Sequence, residues 1–180
     1  QLSLFYQPME SLNPELNELH IEVLVRMLEQ QQMISPGIFI PVAERYGLMQ
    51  DIDLWVLEKT LSVLSENTLK GHLVKKVSIN LSANSISDPL FLKQVDRKLD
   101  KVDIPLSMLC FEITETAAIT RLSAARDFIS HFKSRGCSFA LDDFGVGMSS
   151  FSYLKNLDVD YLKIDGSFVK NLASDPIDFA

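Results

Sequence analysis

Residues 108–143 read MLCFEITETAAITRLSAARDFISHFKSRGCSFALDD, a pattern of strand, helix and strand on which the fold assignment rests. The apolar runs at 108–114 and 137–143 predict two buried strands, and the amphipathic stretch at 122–136 predicts a helix between them. This helical pattern ends in a lysine, an arginine and Gly136, which is a typical stop signal. A helical crossover between two strands favours a parallel pair.

The same alternation extends over the rest of the chain, and no proline-rich linker or charge block separates a second domain. Four more apolar runs predict strands, at 2–9, 19–27, 76–82 and 160–165. Amphipathic stretches predict helices, at 39–48, 51–67, 89–102 and, more briefly, 149–157. Repeated units of this kind are typical of a (β/α) barrel or of an open doubly wound sheet.

The barrel is the favoured α/β fold, because no G-x-G-x-x-G fingerprint of a dinucleotide-binding sheet follows an early strand. A complete (β/α) barrel has eight strands and about 250 residues, whereas this pattern supplies about six strands. Residues 174–180 read SDPIDFA and resemble the opening turn of another helix. We therefore expect one domain over residues 1–180, a TIM-like (β/α) barrel that lacks about two C-terminal βα units.

Charge and composition exclude several classes of protein. The chain carries 24 acidic and 17 basic residues, a net charge of −7, so it has no general attraction for nucleic-acid polymers or anionic membranes. No apolar run approaches the roughly 18 residues that a membrane helix needs. Cys110 and Cys137 lie in apolar strand patterns, which favours buried thiols and a reducing, cytoplasmic location.

Polar side chains stand near the carboxyl ends of the predicted strands. In a parallel barrel these ends converge on one face. The set comprises Glu22, Arg26, Asn80, Glu112, Glu115, Asp142, Asp143, Lys163 and Asp165. Carboxylates packed within a few ångströms need compensation, and oxygen ligands suit a hard divalent cation such as Mg²⁺ or Mn²⁺. Adjacent aspartates on a locally bent strand can serve two neighbouring metals, an arrangement that suits phosphodiester hydrolysis.

Each of these positions also has a purely structural interpretation. A single glutamate in a strand usually lies on an exposed face, and adjacent aspartates at a strand end usually form a turn or cap a helix. The stretch DFGVGMSS at 143–150 fits either a flexible loop with a ligand role or a tight turn without one. Polar residues stand at the ends of several successive predicted strands, and this coincidence favours a functional site.

The motifs of this chain resemble those of one family, the EAL domains, which are bacterial phosphodiesterases of the second messenger cyclic di-GMP. The resemblance spans residues 4–172 and rests on eight segments in order: YQP, EVLVR, FIPVAE, WVLE, INLS, FEITE, LDDFG and VDYLKIDGSFV. It implies a TIM-like barrel whose first strand runs antiparallel to its neighbour. It also implies hydrolysis of one phosphodiester bond of cyclic di-GMP, which yields linear pGpG.

The resemblance implies a two-metal site. One metal would be held by Glu22, Asn80, Glu112 and Asp142. Asp143 would belong to the second metal, and Asp165 would support that region. A further glutamate of the family's second site would lie beyond Ala180, so this site is expected to be incomplete in the chain.

The resemblance also implies roles for four other residues. Lys163 would position or polarise the attacking water, and Glu115 would steady the loop that follows the two aspartates. Gln7 and Arg26 would contact the substrate, since the forked guanidinium of an arginine suits a phosphate. Residues 22–24 read EVL rather than EAL, a departure that leaves the ligating glutamate in place and is expected to do little damage. The loop reads DFGVGMSS where the family commonly has DFGTGYSS, and this departure bears on the rate.

The leading expectation is therefore a metal-dependent cyclic di-GMP phosphodiesterase. A non-catalytic cyclic di-GMP receptor is the alternative, favoured by the altered loop, and a scaffold without ligand or chemistry is a third hypothesis. The resemblance implies cyclic di-GMP as the partner, a cytoplasmic domain without direct membrane contact, and fusion to an upstream cyclase-like or sensor domain. Homodimers are common in the family, and a homodimer is one expected assembly.

Overall fold

The computed structural model of the protein describes residues 1–13, 18–30, 32–66, 74–146 and 151–170. Its strands form one seven-stranded sheet. They are β1 (Leu2–Met9), β2 (Leu19–Glu29), β3 (Gln32–Ile34), β4 (Val74–Leu81), β5 (Leu109–Thr114), β6 (Ser138–Phe144) and β7 (Tyr161–Ile164).

Helices connect most of these strands. They are α1 (Pro36–Arg45), α2 (Met49–Ser65), α3 (Ala83–Ile86), α4 (Pro89–Leu99), α5 (Glu115–Thr120) and α6 (Leu122–Ser134), with 3₁₀ turns at Leu106–Met108, Phe151–Asn156 and Gly166–Phe168. Asp88 caps α4 by accepting the Leu90 N–H at 2.8 Å, as its position before Pro89 predicts. Gly136 follows the end of α6 with a left-handed φ of 99°, which confirms the predicted stop.

The strand order confirms the predicted α/β architecture. Strands pair in the order β1-β2-β4-β5-β6-β7, and β3 pairs antiparallel with β2. The pairs β2–β4, β4–β5, β5–β6 and β6–β7 are parallel. Strand β1 is antiparallel to β2, as the family resemblance implies. The carboxyl ends of the parallel strands therefore lie along one rim of the sheet, which is where a (β/α) barrel carries its site.

All six predicted strands are present, and the described residues also include a short additional strand, β3. Three residues of QMI at 32–34 carry no periodic signal. The same limit explains why α3 and α5, of four and six residues, were not predicted. The predicted helix at 149–157 is a 3₁₀ turn over Phe151–Asn156, and residues 147–150 and 171–180 lie outside the described part of the chain.

The hydrophobic core lies between the sheet and the helices α2, α4 and α6. Phe111 of β5 packs against Phe128 and Phe132 of α6, with ring centroids 6.2 and 5.7 Å apart. Burying one such large apolar side chain contributes about 1.5–3 kcal/mol. Since strand residues alternate between faces, the neighbours Cys110 and Glu112 belong to the opposite, inner face of the sheet. Core packing on one face thus fixes which residues face the interior of the barrel.

The two cysteines are free and buried, as the sequence predicts. Burial raises the pKa of the Cys110 thiol to about 12 and that of the Cys137 thiol to about 11, so both stay protonated and unreactive at neutral pH. Among the described helices, none combines the length and the apolar character that crossing a membrane requires.

A charged cluster links α4 to α6 and gives a pH-dependent prediction. Asp96 accepts a hydrogen bond from His131 Nε2 at 2.9 Å and pairs with Arg135. Burial opposes the effect, but both partners lower the pKa of Asp96. A carboxyl with a lowered folded-state pKa stabilises the protein above its unfolded-state pKa of about 3.9, and this contribution is lost as pH falls through the folded-state value.

We therefore expect Asp96→Asn to reduce the free energy of unfolding at pH 7 by about 1 kcal/mol, a value discounted for the partial exposure of the cluster. The difference from the wild type should shrink below about pH 3, where both proteins lack the charge. Thermal unfolding followed by circular dichroism at several pH values measures this. A deficit of the same size at every pH would show that the charge of Asp96 is not its source.

Candidate functional site

The register of the sheet brings four predicted residues together at the carboxyl rim. Asn80 and Glu112 lie opposite each other in the β4–β5 pair, and Asp142 lies on the next strand, β6. Carboxylate oxygens of Glu22, Glu112 and Asp142 all lie within 4.8 Å of one another. The Asn80 amide donates a hydrogen bond to Glu22 Oε1 at 2.8 Å. Glu22, Asn80, Glu112 and Asp142 form the rim cluster.

Lys163 of β7 supplies positive charge to the rim cluster. Its Nζ lies 2.5 Å from Glu112 Oε2, 3.1 Å from Glu22 Oε2 and 3.2 Å from Asp142 Oδ2. Glu112 is 1% exposed, and burial raises the pKa of its carboxyl although Lys163 opposes that shift. Burial lowers the pKa of Lys163, but Glu112 and Glu22 outweigh it and hold that pKa above its ordinary value. The predicted lysine thus touches all three carboxylates.

The donor set of the rim cluster fits a hard divalent cation. Three carboxylates and one side-chain amide supply oxygen ligands, which Mg²⁺ and Mn²⁺ prefer over nitrogen and sulfur. Three carboxylates against one lysine leave an excess of negative charge, which a divalent cation would neutralise. The cluster can therefore hold a divalent metal.

Asp143 follows Asp142 on β6 and lies beside the rim cluster, near enough to Asp142, Lys163 and Glu22 for their charges to act on the pKa of its carboxyl. The β6–β7 register shifts between Leu141 and Phe144. Asp143 has a left-handed φ of 54° at this irregularity. Burial raises the pKa of its carboxyl, as do the nearby charges of Asp142 and Asp165. The strand is thus bent at the aspartate pair, which is the condition for each aspartate to serve a different metal.

Glu115 is fully enclosed and uses both of its oxygens. It is 3% exposed, accepts the Gly145 N–H on Oε2 at 2.9 Å, and accepts the Tyr153 hydroxyl on Oε1 at 2.5 Å. It contacts the loop after β6, which is where the resemblance implies a steadying role. Asp165 instead accepts the Ser167 N–H at 2.8 Å. Hydrogen bonds from the side chain of Ser167 and then from its backbone lower the pKa of the Asp165 carboxyl.

Gln7 and Arg26 flank the rim cluster from β1 and β2. Gln7 lies opposite Glu22 in the antiparallel register. Arg26 donates a hydrogen bond from Nη1 to the Val25 carbonyl at 2.9 Å, and it lines a cavity of about 510 Å³ that reaches Asn80. A cavity of this size is within the range of small-molecule sites.

Sequence reasoning missed Asp53, which also lines this cavity. Asp53 is 4% exposed, and its Oδ2 accepts the Ser82 N–H at 2.9 Å and the Ser85 hydroxyl at 2.6 Å. It thereby ties α2 to the turn that follows β4. The available signal was a carboxylate spaced three and four residues before Val56 and Leu57, on the buried stripe of α2.

Known proteins resemble this chain over its whole length. The EAL domain profile matches residues 1–180. The chain belongs to the EAL domain family. It is 39% identical over 177 residues to the cyclic di-GMP phosphodiesterase PdeF of Escherichia coli K12, which covers 98% of this chain and 23% of PdeF. It is 41% identical over 183 residues to the cyclic di-GMP phosphodiesterase PdeB of Shewanella oneidensis, which covers 100% of this chain and 21% of PdeB.

A solved EAL domain confirms the TIM-like barrel fold. The FimX EAL domain from Pseudomonas aeruginosa, bound to c-di-GMP, superposes with a TM-score of 0.87 and 33% identity over 96% of this chain and 69% of that chain. The chain spans less than a quarter of the length of the curated relatives PdeF and PdeB.

The loop after β6 offers a test of packing at the EAL site. Gly145 has a φ of 102°, and an added Cβ would lie 2.8 Å from Phe168 Cε2. Gly136 has a similar φ of 99° with nothing within 4 Å, so it is a matched control for backbone strain alone. We expect Gly145→Ala to lose about 1–2 kcal/mol more stability than Gly136→Ala, because it adds a steric clash to the strain. Urea unfolding of both variants measures this, and equal losses would contradict the Phe168 contact.

Proposed function

We propose that this EAL domain chain hydrolyses cyclic di-GMP to linear pGpG as a metal-dependent phosphodiesterase. The observation that carries the proposal is the rim cluster, in which three carboxylates lie within 4.8 Å and Lys163 contacts all of them. Two similar members of the family, PdeF and PdeB, are named cyclic di-GMP phosphodiesterases. The negative charge of the rim repels an anionic nucleotide, and bound cations would offset this repulsion.

The proposed cofactor is Mg²⁺ or Mn²⁺. The rim cluster residues would hold one cation. Asp143, at the bent end of β6, would contribute to a second, with Asp165 beside it, because Asp165 follows β7 and its N–H donates a hydrogen bond to the Phe144 carbonyl at the end of β6. Such cations supply Lewis-acid catalysis and charge neutralisation for phosphodiester hydrolysis.

The protein's own side chains would bind and orient the nucleotide. Arg26 donates to a phosphate through its forked guanidinium, and Gln7 offers its amide beside Glu22. Lys163 Nζ donates a hydrogen bond that orients the attacking water and places positive charge near the reacting phosphate. Glu115 accepts the Gly145 N–H at the start of the loop after β6, which keeps Asp143 in position.

A non-catalytic receptor is the second candidate function. The altered loop favours it, since Val146 lacks the hydroxyl of the common family threonine, while Met148 lies outside the described residues. The solved FimX EAL domain shows that a member of the family is found with c-di-GMP bound. Tight binding without divalent cations would favour this function.

Incubation of the protein with cyclic di-GMP and Mn²⁺, followed by chromatography, tests the proposal. We expect pGpG to form with Mn²⁺ or Mg²⁺ and its formation to stop when EDTA removes the metal. Nucleotide that is bound but intact under all conditions would reject hydrolysis and favour the receptor. Neither binding nor hydrolysis at millimolar nucleotide would favour a scaffold.

The wider setting of the domain is also proposed. The relatives are longer than this chain, so we propose that this EAL domain belongs to a cytoplasmic protein that also carries an upstream cyclase-like or sensor domain. Sedimentation of the protein with and without cyclic di-GMP would test for a homodimer.

A further inference from the structure

One buried carboxylate ties together two parts of the chain on either side of the loop after β6. Glu115 accepts the Gly145 N–H at 2.9 Å on one oxygen and the Tyr153 hydroxyl at 2.5 Å on the other. Gly145 lies at the start of this loop, and Tyr153 lies on the 3₁₀ turn Phe151–Asn156 at its far side. The carboxylate therefore couples the two ends of the loop.

We propose that Tyr153 is a positioning residue for Asp143, acting through the Glu115 carboxylate and the Gly145 backbone. The inference rests on the proposed function, because Asp143 has a role in catalysis only if the protein hydrolyses a phosphodiester at this rim.

The backbone at Asp143 needs such support. Asp143 and Gly145 have left-handed φ values of 54° and 102°, and this conformation costs free energy at a residue other than glycine. It persists where the surrounding structure holds it in place. The hydrogen bond from Gly145 to Glu115 fixes the peptide plane that follows Phe144, and a charged acceptor makes it stronger than an ordinary backbone bond.

Tyr153 determines the orientation of the acceptor. Glu115 is 3% exposed, so its carboxylate depends on donors from the protein, and the Tyr153 hydroxyl is one of them. The hydroxyl hydrogen bond holds one oxygen, which aims the other at the Gly145 N–H. The ring of Phe168 also lies against Gly145, in the space that a side chain at Gly145 would occupy.

Tyr153→Phe tests the proposal, because it removes one oxygen atom and keeps the ring. Tyr46→Phe is the matched control: Tyr46 is 69% exposed and follows the end of α1. We expect Tyr153→Phe to lower kcat for cyclic di-GMP about 10-fold and to change KM less than about 2-fold. An effect of about 10-fold is within the range for residues that orient a metal-binding side chain without contacting the metal. The double variant Tyr153→Phe/Glu115→Gln should be no slower than Glu115→Gln alone, because the tyrosine acts through the glutamate.

Hydrogen exchange of the backbone over residues 143–146 gives a readout that does not depend on hydrolysis. We expect faster exchange there in Tyr153→Phe than in the wild type or Tyr46→Phe. If the wild type forms no pGpG, the proposed function fails, and exchange alone decides the structural link. Unchanged exchange overturns the link in either case. In an active protein, an unchanged kcat or an additive double variant also overturns it.

Discussion

Lys163→Met is expected to lower kcat for cyclic di-GMP hydrolysis by about 10³-fold, because it removes the ammonium that touches every carboxylate of the rim cluster. Methionine keeps much of the length of the side chain but carries no charge. In EDTA, the free energy of unfolding of the variant should also be about 2 kcal/mol lower than that of the wild type. This value is smaller than the one for a fully buried ion pair, because Lys163 is 27% exposed. Mn²⁺ should restore much of this stability, since it replaces the lost positive charge.

Lys133→Met provides the matched control for this prediction. Lys133 is 21% exposed and pairs with Asp158 and Asp160, so it resembles Lys163 in exposure and in its acidic partners. It lies on α6, outside the rim cluster, and its loss should leave kcat unchanged. Chromatography of pGpG and thermal unfolding with EDTA or Mn²⁺ measure the effects. Hydrolysis by Lys163→Met at the wild-type rate would remove the lysine from the mechanism.

Glu112→Gln is expected to weaken Mn²⁺ binding at least about 100-fold and to abolish hydrolysis with it. Groups that merely orient metal ligands change affinity by about 10–100-fold, and Glu112 would be a ligand itself. Glu112 is 1% exposed, so water has little access to take its place as a metal ligand. Glutamine keeps the shape of the side chain and one oxygen, which limits the cost to folding. Isothermal titration calorimetry with Mn²⁺ measures the affinity.

Asp96→Asn controls for loss of stability in the same experiment. It removes a carboxylate from the α4–α6 contact and destabilises the protein, but it leaves the rim cluster intact. Its Mn²⁺ affinity should equal that of the wild type. If Glu112→Gln binds Mn²⁺ as tightly as Asp96→Asn does, the metal assignment of the rim cluster is wrong.

Much of the secondary structure could be predicted because its signals are local. The strand predicted at 2–9 is found at Leu2–Met9, and Asp88 caps α4 where its side chain precedes a proline. A cap, a stop glycine and a period of two residues each depend on neighbours a few positions away. The elements that escaped prediction, β3, α3 and α5, have three to six residues and are too short to show a period.

The residue types of the site were also visible, whereas several of their partners were not. A polar residue after an apolar run identified Asn80, Glu112 and Asp142 as rim residues. The roles of individual residues came from the family resemblance, as did the antiparallel first strand. Neither pattern nor resemblance indicated that Tyr153 holds Glu115 or that Asp53 holds the turn after β4.

The order of apolar and polar residues along the chain specifies strands, helices and the rim on which charged groups collect, because side chains two or three to four positions apart share a face. The contact between Lys163 and Glu112 joins residues 51 positions apart, and it exists because parallel register aligns β5, β6 and β7. The bend of β6 at Asp143 coincides with a register shift between Leu141 and Phe144. Such a shift arises from how two strands pack together, which no single segment encodes.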